Sequence, residues 1–377
     1  MSNTNPNEGV GPRQTSTPGA YSLAEILSQP QCWADCLKDL RSDETISAIG
    51  KQFGRSSEWL FIGCGSSYYI ALAVAASWSA LTGMRARAIP ASELLLFPDL
   101  VLTGVREFVP VLISRSGNTS EVLKAAQFLN QKKIPNIAIS CAPRQKLEEL
   151  ATRSILLLRA DEQSTVMTRS FTSMLLALQY LAASLGGKTD FVRALSALPA
   201  VAEKMLQKLP ARVREFVDHH RLSDYIFLGQ GPYYGLACES ALKLTEMSCS
   251  YVQCFHDLEF RHGPKSIVSQ ETLISFLLSE TGYDAEREVL EEIKGLGGTT
   301  LVIANRMEGR ARAAADFAIE LDCDLPEYVR LAPYVFAGQL MGLYTGLRKG
   351  LDPDRPPNLS RVVILKEDEK RPEHVAI

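Results

Sequence analysis

The stretch Trp59–Ser67 reads WLFIGCGSS and decides the fold of this chain. Its first four residues are a continuous apolar run, which is the pattern of a strand buried on both faces of a parallel sheet. Gly63 and Gly65 then allow a tight turn, and residues 68–81 predict a helix with small residues toward the sheet. A buried strand, a Gly-rich turn and a helix together predict the first unit of an α/β domain.

The same order of elements continues along the chain. Further strands are predicted at 108–113, 136–140 and 155–158, and further helices at 120–131 and 168–185. The polar turn SRSGNT joins the strand that ends at Ile113 to the helix that begins at Ser120. Because strands alternate with helices, we predict a parallel sheet with helices on both faces.

Two landmarks of this pattern occur twice. FLGQGPYY at 227–234 repeats FIGCGSSY at 61–68, so that Gly229 corresponds to Gly63. SETG at 279–282 echoes SRSG at 114–117, so that Ser279 corresponds to Ser114. Because the two landmarks recur after nearly the same distance along the chain, they indicate an internal duplication, and we predict two similar α/β domains.

The domain limits follow from composition. Residues 1–20 are rich in Asn, Pro, Gly, Ser and Thr, and we predict a disordered leader there. Residues 21–40 predict one amphipathic helix or a pair of short ones, and a charged helical connection at 186–224 separates the two repeats. The predicted domains are residues 21–200 and 201–377.

Composition excludes several partners. The 377 residues are 46% hydrophobic and carry a net charge of −3, which fits globular domains and predicts no nucleic-acid partner. No apolar run approaches the roughly 20 residues that cross a bilayer, and no secretory signal pattern opens the chain. The eight cysteines lack CxxC pairs and zinc spacing, so we expect buried free thiols, no metal and a cytoplasmic location.

The first Gly-x-Gly turn predicts an anion site, because backbone N–H groups and a helix N-terminus converge there. A dinucleotide site is one alternative, but Tyr68 stands where its fingerprint requires a third glycine. A tight turn without a ligand is the other alternative. Both remain open on this turn alone.

The second turn favours phosphate. It carries four small polar side chains, Ser114, Ser116, Asn118 and Thr119. Together with the serines of the first turn they can form a ring of donors for phosphate oxygens, with Arg115 or Arg169 as a nearby cation. Helix capping is the alternative, but it accounts for one hydroxyl and does not require four.

A helix in the second repeat carries acid/base candidates. Glu239, Lys243 and Glu246 share one helix face, which is also the pattern of a solvated salt bridge. The helix follows the second Gly-x-Gly turn, at the end of the sheet where α/β proteins bind ligands. His262 precedes Gly-Pro and is therefore expected in a turn. A carboxylate and a histidine at that end can move protons on a sugar.

Five motifs occur in this order between Ile26 and Val363: GCGSS, SRSGNTSEV, ESALKLTEMS, FRHGPKSIV and GLDPDRPPNL. Through them the chain resembles the isomerase half of glucosamine-6-phosphate synthase and, more closely, the galactosamine-6-phosphate deaminase/isomerase group. Both belong to the sugar-isomerase (SIS) family. The resemblance implies two SIS domains, each a five-stranded parallel sheet flanked by helices in a flavodoxin-like, three-layer α/β arrangement.

The resemblance also implies roles for individual residues. The residues it assigns to the sugar phosphate are Ser66, Ser67, Ser114, Arg115, Ser116 and Thr119. Glu246 matches the carboxylate that shuttles a proton between C1 and C2, while Glu239 and Lys243 match residues that organise sugar oxygens and ring opening. His262 matches the ring-opening acid/base that reaches in from the neighbouring subunit, which implies a homodimer.

Two further substrate contacts, Gly65 and Arg361, are expected by the same resemblance. Arg361 stands where the synthase has a lysine that forms a Schiff base with the keto sugar. Because arginine stays protonated, it cannot form an imine and is left to contact a sugar oxygen or an acidic substituent. No metal or organic cofactor is implied.

The predicted function is aldose–ketose isomerisation of a hexosamine 6-phosphate, and the expectation includes deamination. No glutaminase activity is expected, since the chain begins Met-Ser without a catalytic cysteine. Two alternatives stay open: a deglycase of amino-acid adducts of 6-phosphosugars, and a non-catalytic sugar-phosphate sensor. The sequence leaves undetermined which sugar is bound and whether ammonia is released.

Overall fold

The computed structural model describes residues 17–104 and 107–365. Residues 1–16 of the predicted leader lie outside the described residues. Its last part is structured, because Ala20 N donates to Thr17 O over 3.0 Å and the first helix begins at Ala20. The predicted amphipathic segment that follows is a pair of helices.

Two five-stranded parallel sheets follow one another along the chain. The first consists of β1 (Glu58–Gly63), β2 (Arg85–Pro90), β3 (Phe108–Ile113), β4 (Ile137–Ser140) and β5 (Arg153–Leu156), in the order β2-β1-β3-β4-β5. The second consists of β6 (Asp224–Gly229), β7 (Val252–Phe255), β8 (Thr272–Leu277), β9 (Thr299–Ala304) and β10 (Phe317–Glu320), in the order β7-β6-β8-β9-β10. Since the two orders are equivalent, the predicted α/β fold with two parallel sheets is confirmed.

The helices surround these sheets. Those of the first half are α1 (Ala20–Leu27), α2 (Gln29–Ser42), α3 (Thr45–Phe53), α4 (Ser66–Thr82), α5 (Ala91–Leu96), α6 (Pro98–Leu102), α7 (Ser120–Gln131), α8 (Lys146–Leu150) and α9 (Arg169–Leu185). Those that follow are α10 (Thr189–Leu195), α11 (Leu198–Leu206), α12 (Leu209–His219), α13 (Pro232–Ser248), α14 (Tyr283–Gly295), α15 (Gly309–Ala314) and α16 (Phe336–Arg348). Short 3-10 helices occupy Leu158–Ala160, Glu259–Arg261, Pro264–Ile267, Glu327–Arg330 and Ala332–Val335.

Both edge strands of the first sheet differ from the sequence expectation. The strand β2 was not predicted, because its arginines interrupt the apolar pattern and Arg85 is exposed. The strand β5 covers 153–156, whereas the pattern placed it at 155–158, and Leu158 begins a 3-10 helix. An edge strand has one neighbour only, so its hydrophobic pattern is weaker than that of a central strand.

The central strand β1 is buried on both faces, as its apolar run predicts. Trp59 and Phe61 belong to the core between the two sheets, where the Trp59 ring centroid lies 4.7 Å from that of Trp78 on α4. Leu60 and Ile62 belong to a separate cluster on the outer face, under α5 and α7. The sheet is thus the middle layer of three.

The helices α4 and α13 touch each other between the sheets. Their backbones meet at Gly235, where an added Cβ would lie 2.7 Å from Ala73 N and 2.7 Å from Tyr69 O. Only a residue without a side chain permits this approach. The contact brings one face of α13 against the N-terminal end of α4, and this juxtaposition builds the site described below.

All eight cysteines are free, as expected, but their burial differs from the expectation. Four are buried and three are half-buried, whereas Cys249 is exposed just after α13. Within residues 17–104 and 107–365, no helix has the length and apolarity needed to cross a membrane. The boundary between the two domains near residue 200 stays a prediction.

Candidate active site

The first polar turn lies between β1 and α4. Gly65 has φ +54° and ψ −128°, a conformation that L side chains rarely adopt, and Gly231 repeats it with φ +56° and ψ −127° in the second half. The turn directs Ser66 and Ser67, the first residues of α4, toward the carboxyl end of the sheet. This is the edge at which α/β proteins bind ligands.

The second polar turn follows the neighbouring strand β3. Ser114 Oγ lies 3.2 Å from Thr119 Oγ1 and accepts the Gly117 N–H, while Ser116 Oγ accepts the Asn118 N–H over 3.2 Å. Thr119 makes no side-chain cap bond to α7, so helix capping does not account for its hydroxyl. Three of the predicted hydroxyls are therefore gathered at one turn, beside the serines of α4.

Arg115 is buried in this turn and holds its surroundings together. Its guanidinium pairs with Glu162 at 3.4 Å and donates to the carbonyls of Val166, Thr165 and Arg361 over 2.9 to 3.2 Å. The predicted positive charge is thus present at the site. Most of its hydrogen bonds nevertheless position two chain segments that pass over the turn.

The acid/base residues of α13 meet Ser66 of α4. Lys243 Nζ donates to Ser66 Oγ over 3.2 Å, lies 3.4 Å from Glu239 Oε1 and pairs with Glu246 Oε2. Ser66 Oγ in turn donates to Glu239 Oε1 over 3.2 Å. The three residues therefore share one helix face, as predicted. This face points into the protein interior, whereas a solvated salt bridge would point to solvent.

Burial governs the protonation of this trio. It raises the pKa of Glu239 to about 8, with Glu246 acting in the same direction and Lys243 against it. Burial lowers the pKa of Lys243, but the two carboxylates beside it outweigh burial and raise that pKa above its ordinary value. Near neutral pH, Glu239 is then protonated, and the Lys243 ammonium pairs with Glu246. Glu239 Oε2, which has no hydrogen-bond partner in the described ranges, can carry the proton.

A cavity of about 240 Å³ joins these groups. Nine predicted residues line it: Gly65, Ser66, Ser67, Arg115, Ser116, Thr119, Lys243, Glu246 and Arg361. Ser114 and Glu239 stand behind this lining and are hydrogen-bonded to it. The Glu246 side chain is 18% exposed, whereas Lys243 and Glu239 are almost fully buried. Of these two carboxylates, Glu246 is consequently the one that is accessible from the cavity.

His262 does not line this cavity. It is exposed, and the loop that carries it is tied to α14 by ion pairs of Glu292 with Arg261 at 2.8 Å and with Lys265 at 2.5 Å. The interpretation that it completes the site of a neighbouring subunit therefore stays a prediction. Its surface position leaves the side chain accessible to a second chain.

The C-terminal tail contributes more to the site than Arg361, the one tail residue that the sequence predicts. Besides Arg361, the residues Leu359, Ser360 and Val363 line the cavity, and so do Thr165 and Met167. The tail is held by its backbone, since Ser120 N donates to Val363 O over 3.1 Å. The motif that ends at Leu359 was the available signal, but backbone docking has no side-chain pattern that could reveal it.

A second cavity, of about 490 Å³, lies between α2 and α11. Its lining is mainly apolar and contains a single ionisable residue, Glu203. It therefore lacks the paired acid/base groups of the smaller cavity. In the described part of the chain, no group of three or more His, Cys, Asp or Glu side chains is arranged to hold a metal ion.

Known proteins resemble this chain in sequence and in fold. Residues 55–184 match the family described as SIS domain, and this match runs from before β1 into the last turn of α9. The first half of the chain therefore matches a SIS domain. It is 25% identical over 352 residues to the glutamine–fructose-6-phosphate aminotransferase (isomerizing) of Methanothermobacter thermautotrophicus. The match covers 92% of this chain, which spans 58% of the length of that relative.

Solved structures extend the similarity to both halves. The glucosamine-6-phosphate deaminase of Thermotoga maritima is 26% identical, with a TM-score of 0.75 over 92% of this chain and 100% of that one. The tagatose-6-phosphate ketose/aldose isomerase of Escherichia coli has a TM-score of 0.83 over 94% and 100% of the two chains. At 22% identity, the latter shows the fold alone. The resemblance to the SIS phosphosugar isomerase family is confirmed.

Proposed function

We propose that this chain isomerises a hexosamine 6-phosphate between its aldose and ketose forms and releases the amino group as ammonia. The observation that carries the proposal is the shared cavity. A reachable carboxylate, Glu246, and a buried ammonium, Lys243, face the same space as the hydroxyls of Ser67, Ser116 and Thr119.

The two ends of the cavity suit the two ends of such a substrate. Serine and threonine hydroxyls with helix N-termini are donors for a phosphate, and Arg115 adds a positive charge behind the turn. The α13 trio then lies at the reacting carbons. Glu239 is protonated near neutral pH and can donate to a sugar oxygen, while Lys243 stabilises negative charge that develops on oxygen.

The chemistry needs one base that acts twice. Glu246 removes the C2 proton of the open-chain amino aldose, which gives an enolamine, and returns a proton to C1. The product is a 2-imine, which water hydrolyses to the ketose 6-phosphate and ammonia. Isomerising relatives support the first step, and the deaminase at 26% identity supports the second.

Arg361 argues against covalent capture of the sugar at that position. Its backbone carbonyl accepts from Arg115 over 3.0 Å, and its side chain pairs with Asp161. An arginine forms no Schiff base. Proton transfer without an enzyme-bound imine is therefore the simplest route for this chain.

The test follows proton exchange and ammonia together. The wild type is incubated in deuterated water with glucosamine 6-phosphate, galactosamine 6-phosphate and fructose 6-phosphate. We expect deuterium at C1 or C2 and ammonia from one amino sugar, and loss of both in Glu246→Gln. Glu288→Gln is the matched control, because Glu288 is exposed on α14, and it should behave as the wild type.

The result also separates the alternatives. Exchange without ammonia would identify a plain isomerase. Binding of all three sugars without exchange would refute the proposal, and release of an amino acid from a fructosyl-amino-acid 6-phosphate would then identify a deglycase. Binding with neither reaction would leave a sensor.

We further propose that His262 acts in the site of a partner subunit in a homodimer. Glu246→Gln and His262→Ala should each be inactive alone. Unfolded together and refolded as a mixture, they should regain about a quarter of the wild-type activity, because half of the dimers are mixed and each holds one intact site. If dimers form but no activity is recovered, His262 does not act in the site of the partner subunit.

A further inference from the structure

The turn Ser279–Gly282 after β8 has the same local structure as the polar turn after β3. Gly282 N donates to Ser279 Oγ over 2.8 Å, just as Gly117 N donates to Ser114 Oγ over 3.2 Å. Both turns follow the middle strand of a five-stranded sheet and precede a helix. The duplication has therefore produced two turns of the kind that binds an anion.

In the turn Ser279–Gly282, a carboxylate of the chain itself accepts the hydrogen bonds that an anionic ligand would accept. Glu327 Oε1 accepts the N–H groups of Glu280 over 2.7 Å and of Thr281 over 3.3 Å. Glu327 Oε2 accepts the Thr281 hydroxyl over 2.7 Å. Two backbone N–H groups and a hydroxyl on one anion are the donors that a phosphate would use.

The equivalent glutamate of the first half is engaged elsewhere. Glu162 and Glu327 are separated along the chain by the same distance as Ser114 and Ser279, so the duplication relates them as it relates the two turns. The Glu162 carboxylate accepts from Thr168 N over 2.6 Å and Ser170 N over 3.2 Å at the start of α9. In the described part of the chain, no carboxylate accepts a hydrogen bond from the backbone of the turn after β3, which faces the 240 Å³ cavity.

A buried cation completes the second site. Arg330 is 1% exposed and its Nη2 lies 2.6 Å from Glu280 Oε2 of the turn. Its Nη1 has no hydrogen-bond partner within the described ranges. In this ion pair the glutamate is on the turn and the arginine lies behind it. In the first half the positions are reversed, because Arg115 is on the turn and Glu162 lies behind it. A cavity of about 290 Å³, lined by Ser279, Glu280 and Arg306 among others, opens beside the turn.

We propose that the turn Ser279–Gly282 is a second phosphomonoester site that the chain occupies with its own Glu327 carboxylate. The wild-type chain then binds one phosphate group, in the first half, and removal of the Glu327 carboxylate opens the second site to a phosphomonoester or to inorganic phosphate. The inference rests on the proposed function in one respect, since it takes the turn after β3 to be the phosphate site.

The test measures the stoichiometry of inorganic phosphate and of glucosamine 6-phosphate on the full chain by titration calorimetry. We expect one phosphate per wild-type chain and two per Glu327→Ala chain. In the double variant Glu327→Ala/Thr281→Val, the second site should weaken about tenfold or more, because a hydrogen bond to a charged group is lost. Glu288→Gln removes an exposed carboxylate of α14 and should still bind one.

Two results would overturn the inference: two phosphates on the wild-type chain, or no more phosphate on a folded Glu327→Ala chain than on the wild type. If Glu327→Ala does not fold, Glu327→Gln keeps an acceptor for the turn and loses the charge. It should bind the additional phosphate more weakly, and an unchanged number of phosphates relative to the wild type would also overturn the inference. One Thr281-dependent phosphate on Glu327→Ala and none on the wild type would instead refute the first-half site and keep this one.

Discussion

We expect the stability and the proposed activity of this chain to depend on the contact of α16 with α13. Along this contact α16 presents Gly338, Gly342 and Gly346 to α13. A Cβ added at Gly342 would lie 2.7 Å from the Lys243 carbonyl oxygen and 3.1 Å from the Leu244 Cα. Because both neighbours are backbone atoms, no side chain can turn away, and Gly342→Ala must push the two helices apart.

The size of the effect follows from two opposing contributions. Overpacking a rigid core costs about 1–3 kcal/mol. Replacing glycine by alanine within a helix restores about 1 kcal/mol. We therefore expect Gly342→Ala to lower the free energy of unfolding by up to about 2 kcal/mol.

The larger effect should be on catalysis. The displaced backbone is that of Lys243, whose Nζ lies 3.2 Å from Ser66 Oγ on α4. A shift of several tenths of an ångström loosens this trio, and we expect kcat to fall about 10- to 100-fold with a smaller change in KM.

Urea unfolding and steady-state kinetics on the substrate identified by the exchange test would measure both effects. Gly295→Ala is the matched control, because an added Cβ at the end of α14 would meet no atom within 4 Å. It should keep the wild-type kcat and stability or gain slightly in stability. A Gly342→Ala protein with wild-type kcat and an unchanged unfolding midpoint would refute the helix contact and its link to Lys243.

Three further predictions concern single side chains of the site. Burial raises the pKa of Glu239 from its ordinary value near 4.5 to about 8, so its protonated form contributes stability that is complete below pH 4.5 and is lost as the pH rises through 8. Glu239→Gln should remove this fall in unfolding free energy between pH 5 and 8 in urea titrations, and an unchanged slope would contradict the raised pKa. Thr119→Val keeps the shape and removes a hydroxyl, so the dissociation constant of the sugar phosphate should rise about 10-fold or more in calorimetry, and unaltered affinity would exclude this contact. Arg115→Met leaves the buried Glu162 without its cation and should cost about 3–5 kcal/mol in urea unfolding, with Arg115→Lys recovering only part; a loss below about 1 kcal/mol would contradict the role of the guanidinium.

The local patterns of the sequence determined the fold class and the central elements of the first half. The apolar run before Gly63 predicted β1, and the strand β3 and the helix α7 have the predicted limits of 108–113 and 120–131. The spacing between the two Gly-x-Gly turns is also the spacing between the starts of β1 and β6 and between those of α4 and α13. Such features are readable because periodicity and turn residues act over a few neighbouring positions.

The edge strand β2 and the docking of the tail could not be predicted from these local patterns. The strand β2 contains Arg85 and Arg87, so no apolar run announces it. The tail is held over the polar turn by the Val363 carbonyl, and the Arg115 side chain reaches the carbonyl of Arg361, far away along the chain. Backbone contacts of this kind leave no trace in residue spacing.

The sequence by itself thus determined which residue types stand at the ends of the strands, and through them the resemblance to the SIS family. Only the tertiary structure decided that Ser66 of one half meets Glu239 and Lys243 of the other, because this requires α4 and α13 to touch at Gly235. The tertiary structure also decided what the two duplicated glutamates contact. Glu162 accepts from the start of α9, whereas Glu327 accepts from the turn Ser279–Gly282. The physical reason is that packing sets distances between segments far apart in the chain, and those distances determine burial, pKa and access.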